Sequence, residues 1–240
     1  MKVSAILWDY DGTLVDSTRK NIEVTVDVLK RFHKEKEFPT PEILTSIEKY
    51  NEANYRYKNW RELYKNCYNL SEEQVDEAGK LWSPCQLANQ TIADLYPGLG
   101  DTIRAFENIS QGICSQNGLA NIHKSLGAFG LSQYYKAIIG YEEVSNLQQK
   151  PDPAGFIKCL ELLELDAGST AVIYIGDHQE DVVFGRNAEH FLREHGQEVS
   201  VISIAVSYSG SAPEGWVHKP DYIAGSAEEI TQIIQKIIRH

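Results

Sequence analysis

From Tyr96-Pro97-Gly98 onward the chain alternates short apolar runs with stretches of helical period. The runs predict strands near 112–115, 137–139, 172–175, 201–206 and 222–223, and the intervening patterns predict helices near 101–108, 154–165, 180–195 and 227–238. Strands separated by helices cannot pair as simple hairpins. This alternation therefore points to a parallel sheet covered on both faces. A further apolar run, Val3–Trp8, reads as a buried strand that ends abruptly in Asp9-Tyr10-Asp11-Gly12-Thr13.

Between that first strand and Tyr96 the texture is different. Ile22, Val26 and Leu29 form one helical stripe, and Ile43, Ile47, Tyr50, Tyr57 and Tyr64 recur at helical spacing. Thr40-Pro41-Glu42 reads as a helix start, Ser71-Glu72-Glu73-Gln74 as a capping box, and Ser83-Pro84 as a break or restart. No strand candidate falls in 18–91. The length of 240 residues agrees with this division. At about 150 residues per domain it amounts to roughly 1.6 domains, a value met by one α/β core interrupted after its first strand by a helical insertion.

Composition narrows the partners. With 23 Lys+Arg against 34 Asp+Glu the formal charge is −11, a field that disfavours nucleic acid and anionic membrane surfaces. The N-terminal apolar run is shorter than a secretory signal requires, and no run reaches a membrane span. Cys67, Cys85, Cys114 and Cys159 form no C-x-x-C pair, so zinc and redox motifs are absent and reduced thiols are expected. The expectation is a cytoplasmic protein that binds neither nucleic acid polymer nor membrane; its oligomeric state is left open.

In a parallel α/β sheet, ligands bind beyond the carboxyl ends of the strands. Four polar segments fall at or near such ends: Asp9 with Asp11, then Ser115-Gln116-Asn117, then Lys150, then Asp177 with Asp181. Carboxylates with a lysine suit Mg²⁺ and a phosphoryl group, because Mg²⁺ takes one or two carboxylates, waters and phosphate oxygens. A carboxylate at Asp9 is a possible phosphoryl acceptor. Asp11, two residues on, points the same way in an extended strand end and suits proton transfer. Each segment also has a plain structural reading. D-x-D-G is a common turn, Asp177 a helix cap, Lys150 a solvated loop cation, and Ser115 the cap of a following helix.

Together, Asp9-Tyr10-Asp11-Gly12-Thr13-Leu14-Val15-Asp16-Ser17, Ser115, Lys150-Pro151-Asp152-Pro153 and Gly176-Asp177-His178-Gln179-Glu180-Asp181 resemble the haloacid dehalogenase-like hydrolases, in particular their phosphoglycolate-phosphatase-like branch. The resemblance implies a Rossmann-like parallel-sheet core (1–17 and 92–240) with an inserted all-helical cap domain (18–91), and a Mg²⁺-dependent phosphatase. Asp9 is then the nucleophile and a metal ligand, and Asp11 the general acid/base and a metal ligand through its carbonyl. Ser115 and Gln116 hold phosphoryl oxygens, Lys150 neutralises charge, Asp177 is a further metal ligand and Asp181 orders a metal-bound water. The family often has Ser or Thr where this chain has His178, read here as a half-exposed loop residue. The stretch 189–198 suggests an extended helix.

In the insertion, the stretch 54–65 is aromatic and basic. Tyr50, Tyr57 and Tyr64 are expected to pack the insertion's own core, leaving Arg56 and Arg61 as candidates for substrate specificity. A small phosphorylated metabolite is the expected substrate. A sugar phosphomutase of the same fold and an inactive phosphate-binding relative are the alternatives; Asp11 disfavours a dehalogenase.

Overall fold

The computed structural model describes residues 2–32, 39–57, 59–165 and 170–239. The strands are β1 (Val3–Trp8), β2 (Val15–Asp16), β3 (Asp94–Leu95), β4 (Ser110–Cys114), β5 (Tyr135–Ile139), β6 (Thr170–Gly176), β7 (Val199–Val206) and β8 (Tyr222–Ala224). The helices are α1 (Thr18–Lys30), α2 (Ile47–Arg56), α3 (Trp60–Tyr68), α4 (Glu72–Ala88), α5 (Leu99–Ala105), α6 (Leu119–Phe129), α7 (Ala154–Leu162), α8 (Gln179–Glu194) and α9 (Ala227–Arg239). Two compact units result, Met1–Val15 with Leu95–His240, and Asp16–Asp94.

The first unit is built on a six-stranded sheet of order β5-β4-β1-β6-β7-β8, parallel throughout. β1 is central because it is apolar on both faces: Ala5, Ile6, Leu7 and Trp8 are all fully buried. Leu7 stands opposite Gly112 on one side and Tyr174 on the other. One sheet face is closed by α7 and α8, where Leu7, Cys114, Phe156, Cys159, Tyr174 and Phe184 form a continuous core. α9 lies against α5, burying Ala227, Ile230, Ile234 and Ile237 at a spacing of three to four residues.

Between its end residues Asp16 and Asp94, which belong to β2 and β3, the second unit is helical among its described residues. Val24, Val28, Leu44, Tyr50, Tyr64 and Val75 share one core. Tyr50 and Tyr64 therefore pack as expected, whereas Tyr57 terminates α2 and is only partly buried. The Ser71/Gln74 capping box is present.

Several local expectations are corrected. Thr40-Pro41-Glu42 opens only a single 3-10 turn, Glu42–Leu44, and the regular helix begins at Ile47, capped by Ser46 Oγ accepting from the Lys49 amide at 3.3 Å. Pro84 does not interrupt α4. Pro84 and Lys80, the residue whose carbonyl loses its partner, are both on the exposed face, where that carbonyl costs little, while Val75, Ala78 and Cys85 stay anchored below. α6 lies outside every expected helix because Asn121, His123, Lys124 and Gly127 dilute its apolar stripe. α8 is long but stops at Glu194. Among the described residues no helix is long and apolar enough to cross a membrane.

Candidate active site

Asp9, Ser115 and Asp177 directly follow β1, β4 and β6, three adjacent strands. The chain moves outward from β1 through β4 to β5 and then crosses back to β6. Their carboxyl ends thus border the point where the strand order reverses, which is where open α/β sheets form clefts. The ladder continues through the first of these residues, the Asp9 amide donating to Ile175 O at 2.8 Å. A tight loop then turns the chain: Leu14 N and Val15 N both donate to Tyr10 O, and Gly12 N donates to Val15 O.

Lys150, on the connection between β5 and α7, reaches into this point. Its ammonium donates to Asp9 Oδ1 at 2.6 Å and to Asp181 Oδ1 at 2.8 Å, with only 8% of its side chain exposed. It also lies over the rings of Tyr174 and Phe184, 5.3 and 5.5 Å from their centroids. The reading of Lys150 as a solvated loop cation is thereby excluded.

Asp9, Asp177 and Asp181, all buried, offer carboxylate oxygens within 4.8 Å of one another. Two glycines permit this crowding. A Cβ on Gly12, whose φ is +74°, would stand 2.1 Å from Asp177 Oδ2, and a Cβ on Gly176 would stand 2.3 Å from Asp181 Oδ2. Gly12→Ala is therefore expected to displace the Asp177 carboxylate and weaken divalent-metal affinity about 10–100-fold. The left-handed backbone adds a cost of about 1–2 kcal/mol. Calorimetric titration with Mg²⁺ measures the first effect and thermal melting the second; wild-type values in both would refute the steric assignment.

Burial pushes the Asp9 carboxyl well above its ordinary range; Lys150 opposes that shift, and Asp181 and Asp177 reinforce it. Burial also works against the Lys150 ammonium, but Asp181 and Asp9 outweigh it and hold the proton more tightly than usual. Among the described residues, Lys150 contacts two of the three buried carboxylates, Asp9 and Asp181, and Asp177 lies beside them. An all-oxygen, carboxylate-rich donor set fits a hard divalent cation.

Other groups tie this cluster to its neighbours. Gln116 donates to Lys150 O at 3.3 Å, and Ser115 Oγ accepts from the Asn117 amide at 3.0 Å. Ser115 is not the cap of α6, a position held by Gly118. Nor is Asp177 the cap of α8. His178 takes that place, its Nδ1 accepting from Glu180 N, while Asp181 Oδ2 accepts from His178 N. Asp181 thus serves Lys150 with one oxygen and the helix start with the other.

Three contributors were not assigned from sequence. Asn117 donates to Asp11 Oδ2 at 2.8 Å. Tyr174 donates to Cys114 O at 3.2 Å and to Asp181 Oδ1 at 3.4 Å, and Tyr208 donates to Thr13 O at 2.6 Å. Asn117 stood inside a polar strand-end segment and was within reach of sequence reasoning. Tyr174 and Tyr208 looked like ordinary apolar-strand and loop positions.

The helical unit holds the two remaining candidates. Arg56 is exposed at the end of α2. Arg61 pairs with Asp76 at 2.6 Å and Glu72 at 3.6 Å, and its guanidinium covers Trp60. Lys58, in the same basic stretch, lies outside the described residues.

Residues 6–191 match the family model of the haloacid dehalogenase-like hydrolases. The pyrophosphatase PpaX of Listeria innocua is 26% identical over 242 residues, covering 98% of this chain and 97% of its own. PpaX of Oceanobacillus iheyensis is 24% identical, with 98% of each chain covered. Among solved structures, a haloacid dehalogenase-like hydrolase from Streptococcus pneumoniae superposes with a TM-score of 0.70 at 21% identity, covering 97% of this chain and 99% of that one. A superfamily hydrolase of subfamily IA from Geobacter sulfurreducens gives 0.59 at 17% identity, covering 97% and 96%. At these identities the two structures speak for the fold.

Proposed function

The chain belongs to the haloacid dehalogenase-like hydrolase family, and from that premise we propose that it is a Mg²⁺-dependent phosphatase that hydrolyses a small phosphorylated compound through an aspartyl-phosphate. The observation that carries this reading is the buried Asp9 carboxylate, held at 2.6 Å by Lys150 beside Asp177 and Asp181, with Asp11 two residues on.

In the first step an Asp9 carboxylate oxygen attacks phosphorus. The bond from phosphorus to the leaving oxygen breaks, its electron pair stays on that oxygen, and the Asp11 carboxyl supplies the proton. In the second step a water oxygen attacks the phosphorus, Asp11 takes the water's proton, and the electron pair of the phosphorus–Asp9 bond returns to Asp9. Atoms and charges balance, and Asp11 ends protonated as it began. Ser115 and Gln116 bind phosphoryl oxygens, and Lys150 offsets the charge that builds on them. Asp9, Asp177 and the Asp11 carbonyl would hold Mg²⁺, with Asp181 ordering one of its waters. When bound, the ion supplies positive charge against the phosphoryl oxygens and holds Asp9 ionised.

Residues 18–91 are assigned as the cap, with Arg56 and Arg61 as its specificity residues. The four unpaired cysteines support a reducing, cytoplasmic setting. Because relatives named pyrophosphatase PpaX align over nearly the whole chain, pyrophosphate is the first substrate to test.

The test is a phosphate-release panel of pyrophosphate, sugar phosphates, phosphoglycolate and an aryl phosphate. Release in Mg²⁺ is expected to fall at least about 100-fold in excess EDTA and to return on adding Mg²⁺. Full turnover in EDTA would refute the metal requirement. Sugar-phosphate isomerisation without phosphate release would identify a mutase instead.

A further inference from the structure

Asn117 is 3% exposed, and each of its four hydrogen-bonding groups is engaged. Its backbone amide donates to Ser115 Oγ at 3.0 Å, and its carbonyl accepts from Tyr141 N at 2.9 Å. Its side-chain Oδ1 accepts from Asn121 Nδ2 at 3.2 Å, and its Nδ2 donates to Asp11 Oδ2 at 2.8 Å. The Asn121 contact sets which end of the Asn117 amide faces Asp11. With a donor bound to Oδ1, the NH₂ group is the end presented to the carboxylate.

That orientation has a chemical consequence. An amide NH₂ cannot accept a hydrogen bond, so the Asp11 oxygen that it touches must be an acceptor in every protonation state. Asn117 thus holds the Asp11 carboxyl in one orientation through its Oδ2 oxygen. We propose that Asn117, oriented by Asn121, is a positioning residue that holds the Asp11 carboxyl in the orientation from which it delivers its proton to the leaving group. This rests on the reading of Asp11 as the general acid.

The role makes a specific demand on substrates. A poor leaving group, such as an alkoxide, needs its proton as the phosphorus–oxygen bond breaks; a nitrophenolate does not. The parameter kcat/KM isolates steps up to formation of the aspartyl-phosphate, so water attack does not obscure the comparison. Asn117→Ala is expected to lower kcat/KM for an alkyl phosphate by about 10–100-fold more than for p-nitrophenyl phosphate. Asn121→Ala, which leaves the donor in place but unaimed, is expected to shift the same ratio in the same direction by less. Loss of packing or of phosphate binding would lower both substrates equally.

Equal losses on the two substrates, or no loss on either, would overturn the assignment. Should Asn117→Ala not fold, the ratio measured for Asn121→Ala decides it by the same criterion. Wild-type turnover of both substrates and its elimination by Asp9→Asn are measured first, so that failure of the aspartyl-phosphate reading is distinguished from failure of the positioning role.

Discussion

Asp9→Asn eliminates phosphate release, with kcat/KM falling on the order of 10⁴-fold or more for whichever panel substrate the wild type turns over best. An amide has nearly the shape of a carboxylate but is a far poorer nucleophile and a weaker metal ligand. The fold is expected to survive the exchange. Asp9 and Asp181 share the Lys150 ammonium, and Lys150 keeps Asp181 as a partner at 2.8 Å when the Asp9 charge is gone. The metal-free variant should therefore melt no lower than the metal-free wild type. This pairing of outcomes separates lost chemistry from lost structure. Phosphate release within tenfold of wild type would sink the covalent mechanism.

Lys150→Met acts in the opposite sense. It removes the ammonium that contacts both Asp9 and Asp181 and leaves their buried charges facing one another and Asp177. Breaking a buried ion pair from one side costs about 3–5 kcal/mol, because the partner charge stays behind without compensation. The methionine keeps an apolar stem against Tyr174 and Phe184, so the loss is one of charge more than of packing. Thermal melting in EDTA should show a large drop. Added Mg²⁺ should recover more stability in the variant than in the wild type, since the ion then supplies the missing positive charge. Turnover falls as well, because the charge that offsets the phosphoryl oxygens is gone. An unchanged melting temperature in EDTA would mean that the cluster is stabilised by other groups.

Much of the fold was legible from local pattern alone. Val3–Trp8 had to be a buried strand because six consecutive residues carry no charge and then meet Asp9. β6 and α9 were similarly plain, since a continuous apolar run and a stripe of isoleucines leave few alternatives. What failed locally failed for identifiable reasons. Pro84 reads as a helix breaker in isolation, yet buried neighbours on the opposite face hold α4 together. Asn121 and Lys124 obscured α6, because Asn121 is buried for its hydrogen bond to Asn117 and not for any apolar character.

Local pattern was enough for the alternation of strands and helices and for the acidic and basic residues that arrive at strand ends. These depend on period, turn chemistry and short-range spacing, which are properties of neighbouring residues. Tertiary structure alone decided how those residues meet. Lys150 and Asp9 are 141 positions apart, and Asn117 and Asp11 are 106 apart. Gly12 matters because Asp177, from a distant strand, occupies the space of its missing Cβ. Whether Lys150 is a solvated cation or the ammonium shared by buried Asp9 and Asp181 depends on burial and on partners brought together by the sheet. No local pattern encodes either, because both arise only when β1, β4 and β6 lie side by side.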